Sequence, residues 1–327
     1  MRVLVALNIP NKGIKMMKSQ GLDVTVWTSD LPMSQEKLID ECQKYDALLS
    51  TSNYKIDSHF LNSCKHLKII SQFSVGYDNI DIAEATKLNI PIGNAPNAMT
   101  NATADIAFGL MISVSRKFFY MHKTIIANNW GHFRPQANLG IELKNKTVGI
   151  LGLGRIGLEF AKRCKGAYDM NVIYTNRYKN KEAEELLDAK LVGFDELLEK
   201  SDVLSVHCAL TPETKGKFNY NVFSKMKPSS IFLNTARGGI HNETDLIKAL
   251  NNKKIWGAGL DVTNPEPMQP NNPLLFMENV AVLPHIGSAT VEARNEMSKL
   301  AAENILEYYK GNKPPNIINS ELYINLK

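Results

Sequence analysis

The sequence predicts an α/β protein built from two doubly wound parallel-sheet domains. Short apolar runs alternate with longer amphipathic segments, the alternation breaks near residue 94 and starts afresh at Thr147, and 327 residues suit two domains of about 100–200 residues each. In the first series Val3–Leu7, Val24–Val26, Ala47–Leu49 and Ile69–Ser71 read as buried strands. Met33–Lys44 and Asp57–Cys64 read as the helices between them. Asn94-Ala-Pro-Asn97 interrupts the pattern. A long helix follows, roughly Asn101–Asn128, and then an irregular piece from Trp130 to Asn138. The second series has strands at Thr147–Leu151, Val172–Tyr174, Val203–Val206, Ser230–Asn234, Trp256–Leu260 and Val280–Leu283. The last helix, Ser288–Tyr309, is expected to return to the first domain. The division is then residues 1–98 plus 289–327 and residues 99–288. Neither a solenoid repeat nor a low-complexity tract is visible.

Composition excludes several classes. Apolar residues make up 44% and charged residues 22%, ordinary for a globular chain with a sizeable core. The four cysteines, Cys42, Cys64, Cys164 and Cys208, form no CxxC and no metal-like spacing, which favours a reducing, cytoplasmic setting and no bound metal. The opening Met1-Arg-Val-Leu-Val-Ala-Leu7 is too short an apolar run for a signal segment, and Asn8, Asn11 and Lys12 follow at once. No stretch approaches the roughly 18 apolar residues of a membrane span. The terminal Asn325-Leu-Lys327 does not read as a peroxisomal signal. A net charge of +5 could attract phosphates or carboxylates, or simply reflect a lysine-rich surface. The lysines are scattered without basic blocks, so nucleic acid is not an expected partner.

Gly152-Leu-Gly-Arg-Ile-Gly157 sits between an apolar run, Val148-Gly-Ile-Leu151, and a helical stretch, Leu158–Cys164. In that context Gly152 permits a tight turn, Gly154 lets the backbone approach a pyrophosphate, and Gly157 allows close helix–strand packing. The helix start supplies N–H groups and partial positive charge, so the turn predicts a bound dinucleotide. The next strand ends at Tyr174-Thr175 and is followed by Asn176, Arg177, Tyr178 and Lys179. No carboxylate is present there to hold a ribose 2′-hydroxyl or repel a 2′-phosphate, and two cations could bind one. The expectation is NADPH (NADP+) in preference to NADH, which stays usable.

Three polar residues fall beyond strand ends, where open α/β sheets bind ligands. Arg237 follows Ile231–Ala236, Glu266 lies in Asn264-Pro-Glu-Pro267, and His285 follows Val280–Pro284. Each alone has an ordinary reading as a surface ion pair, a solvated loop carboxylate or a structural histidine. Together they meet the needs of 2-keto acid reduction. An arginine fork matches a carboxylate. An imidazole titrates near neutrality and can protonate a carbonyl oxygen. A neighbouring carboxylate keeps that imidazole protonated. The other six histidines, His59, His66, His122, His132, His207 and His241, are read as structural.

With these residues in place the chain resembles the D-2-hydroxyacid dehydrogenase family over nearly its whole length, most closely the glyoxylate/hydroxypyruvate reductase branch. Five motifs in order carry the resemblance: Ser74-Val-Gly-Tyr-Asp-Asn-Ile-Asp81, Gly152–Gly157, Asn234-Thr-Ala-Arg-Gly238, Ala258–Pro267 and Leu283-Pro-His-Ile-Gly-Ser-Ala-Thr290. It implies two α/β domains, Rossmann-like and flavodoxin-like, with the active site in the cleft between them. It implies that Arg237, Glu266 and His285 are the catalytic trio and that the N–H groups of Val75 and Gly76 hold the substrate carboxylate. Cofactor contacts are implied for Thr103 and for Leu153, Gly154, Arg155 and Ile156 over the pyrophosphate. Others are implied for Leu210, Thr211 and Pro212 on the adenosine side, and for Thr235, Ala236, Asp261, Gly287 and Ser288 around the nicotinamide. Relatives are usually homodimers joined through the long helix and the arm after it. Trp130, in that arm, could therefore touch substrate in the partner's site or only pack at the interface.

Rival readings share the resemblance. One is a D-lactate or broader 2-keto acid dehydrogenase with a wider pocket. Another is a dinucleotide-gated binding protein like the C-terminal-binding-protein corepressors. The missing acid at Asn176, and no regulatory extension after residue 327, weaken a phosphoglycerate dehydrogenase reading.

Overall fold

A computed structural model describes residues 1–29 and 31–323; the terminal Asn325-Leu-Lys327 lies outside them. The chain divides into two units, Met1–Met99 with the chain from Ser288 onward, and Thr100–Gly287.

In the first unit the apolar runs form β1 (Arg2–Val5), β2 (Asp23–Val26), β3 (Ala47–Ser50), β4 (Ile69–Gln72) and the short β5 (Ile92–Gly93), all parallel in the order β2-β1-β3-β4-β5. Alternate side chains leave opposite faces. Leu4, Leu48 and Ile70 join Phe60 and Leu61 on one side, and Val3, Val5, Leu49 and Ile69 join Ala301, Ala302 and Ile305 of the helix Val291–Tyr309 on the other. Thr290 caps that helix by accepting from Ala293 N–H, and Ser298 Oγ accepts from Gly13 N–H at 3.0 Å. A Cβ on Gly13 would collide with the Ser298 carbonyl, so this glycine allows the helix Asn11–Ser19 to lie against the last helix.

The second unit contains β6 (Thr147–Leu151), β7 (Asn171–Thr175), β8 (Lys190–Leu191), β9 (Val203–Val206), β10 (Ile231–Asn234), β11 (Gly257–Leu260) and β12 (Val280–Val282). They form one parallel sheet in the order β12-β11-β10-β9-β6-β7-β8. Strands β9, β10 and β11 are buried throughout, as expected for a parallel sheet covered on both faces. Ile231 and Leu233 face one core with Leu110 and Phe160, while Phe232 faces the other with Phe218 and Phe223. The order reverses between β6 and β9, and open α/β sheets bind ligands beyond the carboxyl ends at such a point.

The single long helix expected over 101–128 is instead two, Thr100–Ser115 and Phe118–Ile126. Lys117 adopts a left-handed backbone, φ 58°, and the Ser115 carbonyl accepts from Ile141 N–H at 2.9 Å, a partner outside the helix. The Lys117 side chain is fixed by Glu278 at 3.2 Å and by the Trp256 ring. The break thus depends on residues far along the chain, invisible to helical periodicity. Among the described residues no helix is long and apolar enough to cross a membrane.

Candidate active site

Seven parallel strands bring all their carboxyl ends to one edge, and Gly152, Asn176, Thr235, Arg237, Asp261 and His285 follow those ends, whereas Thr103 lies in the helix Thr100–Ser115. Gly152 stands directly after β6 with φ +91°, and a Cβ there would lie 2.6 Å from Cys208 N. Gly157 packs so close that a Cβ would meet the Gly152 carbonyl at 3.0 Å. Gly154 differs: a Cβ there would meet nothing within 4 Å, so the space beside it is open to a ligand. Gly154 is also the N-cap of the helix Arg155–Tyr168, and no side chain caps that end. A 14-residue helix with no acidic residue in its first turn leaves N–H groups and positive potential facing that space. These features fit a dinucleotide pyrophosphate. Gly154 N–H is turned to the Gly152 carbonyl at 2.8 Å and Leu153 N–H to Asn176 Oδ1 at 2.7 Å, which leaves the N–H groups of the helix's first turn, from Arg155 onward, for an anion.

Asn176 follows β7 and is half-buried, with Arg177 and Tyr178 exposed beyond it. The loop holding Leu210, Thr211 and Pro212 is fixed from within. Thr214 Oγ1 accepts from Thr211 N–H at 2.7 Å, and the Thr211 hydroxyl donates to Glu213 at 2.6 Å. That hydroxyl lowers the Glu213 carboxyl below its ordinary value, and the Arg177 charge adds to the effect.

Asn234, buried at the end of β10, shapes the loop carrying Arg237. Its Oδ1 accepts from Ala236 N–H at 3.0 Å, and its Nδ2 donates to the Arg237 carbonyl at 2.9 Å and to His241 Nδ1 at 3.0 Å. Burial pushes His241 down to about 4, so this ring is neutral and can accept there. Gly238 has no room for a side chain, because a Cβ would fall onto the Thr263 carbonyl. That glycine lets the Arg237 loop lie against the Glu266 loop. Thr235 Oγ1 is buried at the start of this loop with no hydrogen-bond partner.

Asp261, buried directly after β11, accepts from Ile286 N–H at 2.8 Å and Gly287 N–H at 2.7 Å. Burial raises its pKa, partly opposed by those two donors. The Thr103 hydroxyl donates to the Gly287 carbonyl at 3.0 Å. These bonds hold His285 in a left-handed backbone, φ 53°, a conformation that costs on the order of 1–3 kcal/mol and persists only where the surroundings impose it. His285 Nδ1 lies 3.1 Å from Glu266 Oε2, and Glu266 Oε1 accepts from Thr263 N–H at 3.0 Å. The carboxylate raises the imidazole above its ordinary value, against burial and the Arg237 charge. Burial alone would lift Glu266, but the ring, the Thr263 N–H and Arg237 hold it below the ordinary carboxylate value. Arg237, Glu266 and His285 therefore share one electrostatic neighbourhood.

Val75 and Gly76 belong to the first unit, in the loop after β4. The Val75 carbonyl accepts from Asn94 Nδ2 at 2.8 Å and the Gly76 carbonyl from the Ser74 hydroxyl. Ser288 begins the chain's return to that unit. Trp130 is 79% exposed, in an irregular arm that also exposes Phe133 and Leu139. Sequence reasoning missed Thr263, Asn180 and the Asn234–His241 pair. Only Asn180 carried a signal, as a capping residue ahead of the acidic turn Glu182–Glu184.

Comparison with known proteins agrees with this geometry. Residues 108–287 match the model of the D-isomer specific 2-hydroxyacid dehydrogenase NAD-binding domain. The chain is 41% identical to a glyoxylate reductase of Thermococcus litoralis, over 98% of this chain and 97% of the relative. It is 42% identical to a D-3-phosphoglycerate dehydrogenase of Archaeoglobus fulgidus, over 98% of this chain but 59% of the relative. An NADPH-dependent glyoxylate/hydroxypyruvate reductase of Sinorhizobium meliloti, solved with NADP and malonate, is 28% identical with a TM-score of 0.84, over 97% of this chain and 96% of that one. The chain belongs to the D-isomer specific 2-hydroxyacid dehydrogenase family.

Proposed function

We propose that the protein is a cytoplasmic, homodimeric reductase that converts a small 2-keto acid, glyoxylate or hydroxypyruvate, to glycolate or D-glycerate, preferring NADPH to NADH. The observation that carries the reading is the convergence of Arg237, Glu266 and His285 beyond three parallel strand ends of the sheet that bears the glycine turn. A bound reduced nicotinamide supplies the hydride. His285 gives its Nε2 proton to the substrate oxygen while Glu266 holds Nδ1 and stabilises the charged ring. Arg237 and the Val75 and Gly76 N–H groups hold the carboxylate, with Trp130 of a partner subunit as a further contact.

Support for NADPH comes from the carboxylate-free turn after β7, its Arg177, and the NADPH-dependent relative. Support for a dimer comes from the helix Phe118–Ile126, which is rich in apolar residues yet buries none of them. Four free thiols accord with a reducing compartment. The likeness to the phosphoglycerate dehydrogenase favours, as a second reading, a larger phosphorylated acid as substrate. Steady-state kinetics on glyoxylate, hydroxypyruvate, pyruvate and 3-phosphohydroxypyruvate with each reduced cofactor test both. The proposal expects the highest kcat/KM for one of the first two with NADPH. Faster turnover of the phosphorylated or bulkier acids would replace the substrate, and an NADH preference would remove the cofactor assignment.

A further inference from the structure

Asn176 occupies the position at which the sequence predicts a residue reading the adenosine ribose, yet its amide is engaged elsewhere. Its Oδ1 accepts from Leu153 N–H at 2.7 Å and its Nδ2 donates to the Leu153 carbonyl at 3.1 Å. One side-chain amide thus satisfies both backbone groups of the residue between Gly152 and Gly154. Asn180 converges on the same carbonyl, Nδ2 to oxygen 2.9 Å, while its Oδ1 caps the helix Lys181–Leu187 through Ala183 N–H. Asn180 is held in turn: its N–H donates to the hydroxyl of buried Tyr174, which donates to Glu184 at 2.8 Å. The exposed loop Arg177-Tyr178-Lys179 is therefore pinned at both ends to the glycine turn.

Leu153 is 1% exposed, so its polar groups need protein partners. The orientation of its peptide sets where the next N–H groups, those of Arg155 and Ile156, point. We infer that Asn176 and Asn180 are positioning residues for the dinucleotide. They fix the glycine turn in its binding geometry and anchor the basic loop, and neither reads the ribose 2′ substituent. The inference rests on the dinucleotide reading of the turn and is independent of which nicotinamide cofactor is preferred.

Calorimetric titration of the full-length protein with NADPH and with NADH tests it, on wild type, Asn176→Ala, Asn180→Ser and Arg177→Ala, at a temperature where circular dichroism shows each folded. Asn180→Ser keeps a neutral cap acceptor for Ala183 and removes the amide donor to Leu153. Loss of one or two neutral hydrogen bonds predicts about a fivefold to tenfold rise in Kd. For Asn176→Ala and Asn180→Ser that rise falls equally on both cofactors, so the ratio of the two Kd values changes less than about twofold. Arg177→Ala raises the Kd for NADPH more than the Kd for NADH. A selective loss of NADPH in Asn176→Ala would overturn the inference by making Asn176 a reader of the 2′-phosphate. Unchanged affinity for both cofactors in both Asn variants would overturn it by removing the positioning role. Wild type that binds the two cofactors equally would end the NADPH preference, and a parallel loss in the Asn variants would still support the inference.

Discussion

Glu266 accepts from His285 Nδ1 at 3.1 Å with one carboxylate oxygen and from Thr263 N–H with the other, so the carboxylate is fixed before it fixes the ring. An ionised carboxylate only accepts, which places the hydrogen on Nδ1 and leaves Nε2 to carry the exchangeable proton. Because Glu266 raises His285 above the ordinary imidazole value, reduction should decline only as pH rises through that elevated pKa. Glu266→Gln removes the leading cause, so the alkaline limb of kcat/KM should move to lower pH. An unmoved limb would show that another group titrates. The pair's contribution to stability follows the same signs. The His285 part is complete below 6.5 and lost as pH rises through its raised value. The Glu266 part is present above 4.5 and lost as pH falls through its lowered value.

The glycine turn separates fold from binding. Gly152→Ala forces a side chain into a left-handed backbone and against Cys208, and should lower stability by about 1–3 kcal/mol, read as a reduced thermal midpoint. Gly154→Ala meets nothing in the protein, so its midpoint should hold while dinucleotide affinity falls. The reverse ranking would contradict the assignment of roles within the turn.

Asp261→Asn keeps the shape of the side chain but replaces one acceptor oxygen with a donor facing Ile286 or Gly287 N–H. A buried mismatch of this kind costs roughly 1–3 kcal/mol. Since those N–H groups directly follow His285, kcat/KM should drop by at least about tenfold as well. Loss of stability with full activity would show that the loop does not need this anchor.

Ile126→Glu places a charge among the outward apolar residues of Phe118–Ile126. Light scattering should find wild type at twice the chain mass and the variant at the chain mass. A monomeric wild type would remove the dimer from the proposal.

Much of this was legible in the sequence because parallel strands are apolar throughout. Thr147–Leu151 and Val203–Val206 coincide with β6 and β9, and the other long runs agree within two residues. Strand β8 was not legible: Lys190 and Leu191 are exposed and belong to an edge, with no apolar pattern to mark them. The helix break at Lys117 and the anchoring of His285 by Asp261 depend on partners 24 or more residues away, beyond any local pattern. Arg237, Glu266 and His285 were legible because each follows a strand end and parallel strands bring those ends together. Asn176 follows the strand Asn171–Thr175, but the direction of its amide, toward Leu153, is a tertiary fact that no local pattern carries.

The central claim is that His285 donates the proton in hydride reduction of a small 2-keto acid. Its most direct test is kcat for glyoxylate reduction by wild type and His285→Gln, with NADPH affinity measured on the same samples. Turnover should fall by about 10²–10⁴-fold while the Kd for NADPH stays within about twofold. A variant that reduces glyoxylate at close to the wild-type rate, or a wild type that binds NADPH without oxidising it in the presence of any 2-keto acid, would contradict the claim.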